Sequence, residues 1–152
     1  MLIKRGNILG SEILNSFDAV CFTSNGIVKA NGELVMGAGV AKAFRNKWPD
    51  LPKRFGVLVR LEGNIVNYHE QQIRYDRDVF IVSFPTKNDW RDNSDIGLIK
   101  KSANELMQLA NRLNWKNVAL TKPGCGLGGL KWNEVSKVLE PILDNRVTIF
   151  DI

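Results

Sequence analysis

Two glycine-rich stretches, each lying between an apolar run and a segment of helical periodicity, restrict the fold of this chain more than any other feature. The longer stretch spans residues 123–130, follows an apolar run at 118–121 and precedes a patterned segment that opens at Trp132. Its glycines lack the Cβ atoms that keep a ligand off the backbone, and they let consecutive N–H groups turn inward together. Because such a loop at the start of a helix can hold a phosphate, the stretch predicts an anion site. The alternative is that its glycines only make a tight turn.

The other stretch comes first along the chain, at residues 34–40, and also leads into a helix. We call residues 34–40 the first glycine loop and residues 123–130 the second glycine loop. Apolar residues recur at three- and four-residue intervals from Ala38 to Trp48, and Pro49 stops the helix. Two such loops can face one anionic ligand and suit a diphosphate. Residues 124–129 match the glycines of the dinucleotide-binding fingerprint, but the acidic residue that the fingerprint needs at the end of a later strand is missing, except for Asp151. The glycine-rich loop that binds nucleoside triphosphates is absent from the sequence.

Apolar patterning along the rest of the chain predicts strands that alternate with helices. Short apolar runs predict buried strands and a looser alternation predicts one exposed strand, at 2–4, 19–23, 64–72, 79–84, 118–121 and 147–150. Helical spacing predicts helices at 38–48, from a cap at Ser94 or Asp95 to Leu113, at 133–143, where Pro141 must shorten or kink the helix, and less clearly at 51–61. Residues 8–14 are expected to form a one-turn helix or a turn, and residues 74–78 a charged turn. The chain is therefore predicted to be α/β, a single three-layer α/β/α domain over residues 1–152 with a central mixed sheet of about six strands. Ligands are expected at the carboxyl ends of the strands.

Composition excludes several classes of protein. The 152 residues are 44% hydrophobic and 24% charged, which is typical of one soluble globular domain. Cys21 and Cys125 are the only cysteines and His69 is the only histidine, so we expect no disulfide framework, no metal site and no cofactor. There is no apolar run of about 20 residues and no secretory signal, which favours the cytoplasm and no membrane partner. We expect a monomer.

The net charge favours anionic partners. The formal charge is +5 and the sequence pI is near 9.4. The basic residues are scattered and form no stripe interleaved with aromatic residues, so general nucleic-acid binding is possible but is not the first interpretation.

Three segments resemble the macrodomain, the ADP-ribose-binding module. They are Gly-Asn-Ile at 6–8, Asn-Gly-Glu-Leu-Val-Met-Gly-Ala-Gly-Val at 31–40, and Gly-Cys-Gly-Leu-Gly-Gly-Leu-Lys-Trp at 124–132. The resemblance covers nearly the whole chain in the right order. Phe-Pro-Thr-Lys-Asn-Asp-Trp-Arg at 84–91, with Ser94 beyond, is similar to antitoxins that remove ADP-ribose from DNA. Their branch also contains ADP-ribosyl-glutamate hydrolases and ADP-ribose-1″-phosphate phosphatases.

The resemblance implies a role for each matching residue. The amide oxygen of Asn7 would accept a hydrogen bond from the adenine amino group, the backbone of Ile8 would contact the ligand, and Asn31 would hold the distal ribose as part of the catalytic group. Cys21 is implied to be a small buried residue and not a reactive thiol, and Cys125 a backbone contact. The other ligand-binding residues implied are Thr23, Ser24, Asn25, Met36, Gly37, Ala38, Gly39, Val40, Thr86, Gly124, Cys125, Gly126, Leu127 and Gly128.

Lys87 matches the catalytic lysine of this branch. Its amine would attack the anomeric carbon of the distal ribose and form a Schiff-base-type adduct that water later breaks. The alternative is a lysine that only pairs with a phosphate or a carboxylate. Asp89 and Asp92 could act as acid or base, although solvated surface positions are the simpler interpretation. Trp90 and Arg91 could contact a base or phosphate beyond the ribose, or Trp90 could simply cover the core.

One departure from the family pattern concerns the substrate. Gly128 stands where the glutamate-directed hydrolases carry an aspartate, whereas the DNA-directed antitoxins have glycine there and keep the lysine. The resemblance therefore implies an ADP-ribosyl hydrolase that acts on DNA or a small molecule in preference to protein glutamate. Two alternatives remain open: a module that binds ADP-ribose or a related nucleotide without turnover, and an ADP-ribose-1″-phosphate phosphatase.

Overall fold

The computed structural model describes residues 1–151, which form six strands and five helices. The strands are β1 (Leu2–Arg5), β2 (Ala19–Ser24), β3 (Asn67–Arg74), β4 (Arg77–Pro85), β5 (Val118–Thr121) and β6 (Val147–Asp151). They build one sheet of order β1-β6-β5-β2-β4-β3, in which all neighbours are parallel except the antiparallel pair β3–β4. The prediction of a mixed six-stranded sheet is confirmed.

Helices cover both faces of this sheet. They are α1 (Ser11–Ser16), α2 (Gly39–Lys47), α3 (Leu51–Glu62), α4 (Ile96–Leu113) and α5 (Trp132–Leu139). Successive side chains of a strand point to opposite faces, so Ala19 and Cys21 of β2 pack in one core with α4 and α5, while Val20 and Phe22 pack in a second core with α1, α2 and α3. The three-layer α/β/α architecture is thus confirmed.

Several elements differ from their predicted form or bounds. α1 spans Ser11–Ser16 where 8–14 was predicted. α3 is a complete helix although it contains Gly56, and the glycine is needed there because a Cβ would overlap the carbonyl oxygen of Gly32 in the loop after β2. Residues 74–78, expected as a charged turn, mostly belong to strands, because Arg74 pairs with Arg77 across a tight turn. The shortening of the last helix by Pro141 is as predicted, since α5 ends at Leu139.

The loop between β4 and α4, residues 86–95, is held at both ends and in its middle. Asp95 N–H donates to the carbonyl of Thr86 at 2.8 Å, and Ser94 N–H donates to that of Gly128 at 2.9 Å. Asn64 Nδ2 donates to the carbonyl of Lys87 at 2.9 Å. Gly26 N–H donates to the carbonyl of Asn88, also at 2.9 Å. The loop therefore has a defined path over the end of the sheet.

Asp95 closes this loop by capping α4. Its Oδ1 accepts hydrogen bonds from the N–H groups of Gly97 at 2.8 Å and Leu98 at 3.2 Å. We expect Asp95→Ala to lower the free energy of unfolding by about 1 kcal/mol, because these helix N–H groups lose their acceptor. Urea denaturation would measure the loss. Asp95→Asn, which keeps a capping oxygen, should retain most of the stability, and an equal loss in both variants would contradict the capping role.

Candidate functional site

A cavity of about 920 Å³ lies where the carboxyl ends of β2, β4, β5 and β6 meet. This volume is in the upper part of the range found for small-molecule sites. Most of the predicted ligand-binding residues line it, at 23–25, 36–40, 86–87 and 124–128. The prediction that both glycine loops face a common cavity agrees with this lining.

The first glycine loop brings a helix N-terminus to the cavity. α2 begins at Gly39, its cap residue Ala38 makes no side-chain hydrogen bond, and both residues line the cavity. The first N–H groups of a helix lack partners within the helix and carry partial positive charge. This end of α2 is therefore suited to an anionic group of a ligand.

The cavity glycines are glycines for different reasons. Gly39 and Gly124 have φ of 58° and 76°, a conformation that residues with a side chain rarely adopt. Gly37 and Gly126 have no positive φ, and a Cβ added to either would meet nothing within 4 Å. Neither local conformation nor packing explains why these two residues are glycine. Because both line the cavity, their missing side chains leave backbone open to a ligand.

Lys87 lies two residues after the end of β4 and lines the same cavity. Its side chain is half-buried, and its Nζ makes no hydrogen bond or ion pair with any residue between 1 and 151. A cavity lysine without a carboxylate partner remains available to a ligand. This arrangement disfavours the alternative in which Lys87 pairs with a carboxylate of its own chain.

Asp89 is occupied by its neighbour Arg91. The guanidinium donates from Nε to Oδ1 at 3.0 Å and from an Nη to Oδ2 at 2.7 Å. These hydrogen bonds, with one from the Arg91 backbone, lower the pKa of Asp89 to about 2. Asp89 therefore stays a carboxylate near neutral pH and is poorly suited to donate a proton. Asp92 lines the cavity and is exposed.

The structure distinguishes two asparagines near the first loop. Asn25 is buried and lines the cavity, with its Nδ2 donating to the carbonyl of Val35 and its Oδ1 accepting from Ile27 N–H, both at 3.0 Å. Asn31 is exposed and lies outside the lining, because its side chain bonds both the N–H and the carboxylate of Glu33 within a turn. The catalytic role of Asn31 remains a prediction that its position does not favour.

The turn after β1 also lies outside the cavity lining. Asn7 Oδ1 accepts a hydrogen bond from Leu9 N–H at 3.0 Å, so the oxygen predicted to contact adenine already closes a local turn. Ile8 is buried in the core with α1 and α2. The turn still adjoins the cavity, because Gly6 N–H donates to the carbonyl of Asp151, a lining residue. Adenine contact at Asn7 and Ile8 stays a prediction.

Sequence reasoning missed several lining residues. Those at the ends of β5 and β6 include Lys122, whose Nζ lies 3.0 Å from Asp151 Oδ2, and the rule that ligands bind at strand ends could have identified them. Ser94 is buried and comes from the loop before α4; its Oγ has no hydrogen-bond partner within residues 1–151, and no local pattern indicates its position. The missed residues are Val35, Ala41, Asn93 and Ser94 and those at 121–122 and 150–151. Trp90 and Arg91 had been considered as contacts beyond the ribose, and Asp92 as an acid or base.

The two cysteines lack the features of nucleophiles. Burial raises the pKa of the Cys21 thiol, which lies inside β2. Burial also raises the pKa of Cys125, and the nearby Lys122 ammonium offsets part of that effect. A thiol with a raised pKa carries little thiolate at neutral pH and is a poor nucleophile.

Gly128 has no room for a side chain. A Cβ there would overlap Ser94 Oγ and lie 2.5 Å from the carbonyl oxygen of Gly124. The aspartate that glutamate-directed hydrolases carry here therefore does not fit this backbone.

Comparisons with known proteins agree with this architecture. A model of the Macro domain family matches residues 28–139. The chain is 28% identical to a DNA ADP-ribosyl glycohydrolase of Thermus aquaticus over 92% of its length and 37% of that protein's, and 31% identical to one of Mycobacterium tuberculosis over 69% and 30%. It thus spans about a third of the curated relatives it matches. Within residues 1–151, no helix has the length and apolar character needed to cross a membrane.

A solved structure supports the same assignment. The macrodomain of Thermus aquaticus DarG superposes with a TM-score of 0.77 and 26% sequence identity over 98% of this chain and 95% of that one. The macrodomain of Mycobacterium tuberculosis DarG has the same TM-score at 24% identity and shares the fold. With the family model covering most of the sequence, the chain belongs to the macrodomain family.

Proposed function

We propose that this macrodomain binds ADP-ribose in the cavity at the sheet's carboxyl end and releases it hydrolytically from ADP-ribosylated DNA. The observation that carries this proposal is the convergence of two glycine loops and Lys87 on one cavity. The open backbone at Gly37 and Gly126 suits the two phosphates of a diphosphate, because neither backbone conformation nor packing requires a glycine at these positions and both face the cavity. The curated relatives named DNA ADP-ribosyl glycohydrolase support DNA as the substrate.

The proposed reaction uses Lys87 as the nucleophile. The free amine of Lys87 attacks the anomeric carbon of the distal ribose, and the bond from that carbon to the DNA base breaks with its electron pair going to the base, which takes a proton. The nitrogen gives one proton to the departing base and a second to the ring oxygen as the ring C–O bond breaks, which leaves a Schiff base. Water then adds across the carbon–nitrogen double bond, the carbon–Nζ bond breaks to return the amine with both protons, and the ring closes to give free ADP-ribose. The net reaction consumes one water.

The absence of a free carboxylate at two positions favours a second candidate, a module that binds ADP-ribose without turnover. Gly128 supplies no acid or base, and Asp89 is held by Arg91. If Asp92, an exposed carboxylate of the lining, moves no proton either, Lys87 acts only as a charge near the ligand.

A substrate panel distinguishes the two candidates. We expect wild-type protein to release ADP-ribose from an ADP-ribosylated single-stranded DNA oligonucleotide faster than from an ADP-ribosyl-glutamate peptide or ADP-ribose-1″-phosphate, as followed by chromatography. Calorimetry with free ADP-ribose would run alongside. Binding without release from any substrate would establish the module, and fastest turnover of the 1″-phosphate would identify a phosphatase instead.

A further inference from the structure

Two exposed apolar side chains flank the cavity from opposite loops. Trp90, on the loop after β4, is 51% exposed, and Leu127, on the second glycine loop, is 72% exposed; both line the cavity. The other three tryptophans of the chain, Trp48, Trp115 and Trp132, are buried or half-buried. Trp90 therefore does not cover the core, and its exposed ring beside the cavity is accessible to a flat group of a ligand.

The Trp90 ring belongs to a locally ordered unit. The Arg91 guanidinium lies over the indole, 5.6 Å from the ring centroid, and Asp89 binds that guanidinium through two hydrogen bonds and accepts a third from Arg91 N–H. The same loop is tied to neighbouring segments by the hydrogen bonds of Lys87, Asn88 and Ser94 described above. An aromatic group fixed in this way loses little conformational entropy when a ligand stacks on it.

We propose that Trp90, with Arg91 beside it, forms the subsite for the DNA base that carries ADP-ribose. This inference rests on the proposed function and names the part of the substrate beyond the distal ribose. Lys87 and Trp90 are three residues apart on one loop and both line the cavity, so in the proposed reaction a group attached to the carbon that Lys87 attacks lies close to this loop. A flat base can stack on the indole, and the guanidinium can meet a neighbouring DNA phosphate.

A DNA base fits these residues better than a protein side chain does. A modified glutamate has no planar ring to stack on an indole. Its link to ADP-ribose is an ester, and the glutamate-directed hydrolases that act on such esters carry an aspartate where this chain has Gly128 and no room for a side chain. The chain also carries a formal charge of +5, which favours a polyanion.

Binding measurements in a Lys87→Ala background test the subsite without turnover. The probes are free ADP-ribose, an ADP-ribosylated mononucleoside, a short single-stranded DNA oligonucleotide with one ADP-ribosylated base, and an ADP-ribosyl-glutamate peptide. We expect Trp90→Ala to lower the affinity for the mononucleoside and for the oligonucleotide about tenfold or more, since stacking one base on an aromatic ring has an effect of this size. The affinity for free ADP-ribose should stay unchanged. Trp90→Phe should retain most of the affinity. Arg91→Ala should weaken binding of the oligonucleotide more than binding of the mononucleoside, because it removes a phosphate contact as well as the guanidinium beside the indole.

The opposite results would overturn the proposal. An equal loss of affinity for free ADP-ribose in Trp90→Ala would place Trp90 in the ADP-ribose site itself. Unchanged affinity for all four probes would show that Trp90 takes no part in binding. Weakening of the glutamate peptide as large as that of the oligonucleotide would identify a subsite for protein side chains. Thermal unfolding of each variant checks that it is folded. Wild-type protein that releases no ADP-ribose from any substrate would contradict the proposed function. The subsite would still be supported if the protein binds the ADP-ribosylated mononucleoside more tightly than free ADP-ribose and loses this preference in Trp90→Ala.

Discussion

Replacing Lys87 by alanine is expected to lower the rate of ADP-ribose release from ADP-ribosylated DNA by about a thousandfold or more. Loss of a covalent nucleophile removes the whole reaction path that depends on it, so an effect of this size follows if the proposed mechanism holds. Affinity for free ADP-ribose should change by less than about fivefold, because a half-exposed ammonium near a phosphate contributes little binding energy in water. Single-turnover kinetics and calorimetry would measure the two quantities separately.

Lys87→Arg separates a nucleophile from a positive charge. The guanidinium keeps the charge but stays protonated at any accessible pH, so it cannot attack a carbon atom. We expect this variant to be as inactive as Lys87→Ala while binding ADP-ribose. Retention of activity in Lys87→Arg would show that the residue acts through its charge, which would contradict the Schiff-base route.

Lys122 offers a matched control within the same cavity. Its ammonium is bound to the Asp151 carboxylate at 3.0 Å and lies over the Trp132 ring, 5.4 Å from the centroid, so it is not free to react. Lys122→Ala should therefore reduce release far less than Lys87→Ala does. Trapping the adduct of wild-type protein with borohydride, followed by mass spectrometry, should modify Lys87 and leave Lys122 unmodified.

The sequence predicts the sheet well because its signals are local. The buried strands carry short runs of β-branched and aromatic residues, and β5 has the predicted bounds Val118–Thr121. The cap of α4 was predicted to be Ser94 or Asp95, because both can cap and both precede the helical pattern, and the structure selects Asp95. α3 was less clear because intrinsic propensity counts Gly56 against a helix, while the reason for a glycine there is the close approach of Gly32 from a loop distant in sequence.

The composition of the site could be predicted only in part, because it depends on where loops turn back. Both Asn25 and Asn31 were predicted in the site. Asn25 directly follows β2 and lines the cavity, whereas the side chain of Asn31 bonds Glu33 within a turn and lies outside the lining. Similarly, Ser94 reaches the second glycine loop through a hydrogen bond to Gly128, a residue 34 positions later. Such contacts between distant segments leave no periodic or compositional trace in the sequence.

Gly128→Ala is expected to destabilise the fold and weaken ADP-ribose binding together. The new methyl group would overlap Ser94 Oγ and press on the Gly124 carbonyl, so either the second glycine loop or the loop before α4 must shift. Overpacking of this kind lowers the free energy of unfolding by roughly 1–3 kcal/mol. Gly128→Asp should be worse and should not create activity on ADP-ribosyl-glutamate, because its carboxylate has no place on this backbone.

Gly126→Ala, two residues earlier, is the matched control. Its methyl group meets no atom within 4 Å and its backbone has no positive φ, so we expect stability within about 0.5 kcal/mol of wild type. Affinity for ADP-ribose should nevertheless fall, because the methyl occupies cavity space that the ligand needs.

A second control adds Ser94→Ala to Gly128→Ala. This change removes one of the two clashing groups and should restore part of the lost stability but not all, since Gly124 remains in contact. Urea denaturation of Gly128→Ala, Gly128→Asp, Gly126→Ala and the double variant would measure the stabilities, and calorimetry would measure the affinities for ADP-ribose. Unchanged stability in Gly128→Ala would mean that the loop yields easily, and the absence of an aspartate at this position would then need a reason other than space.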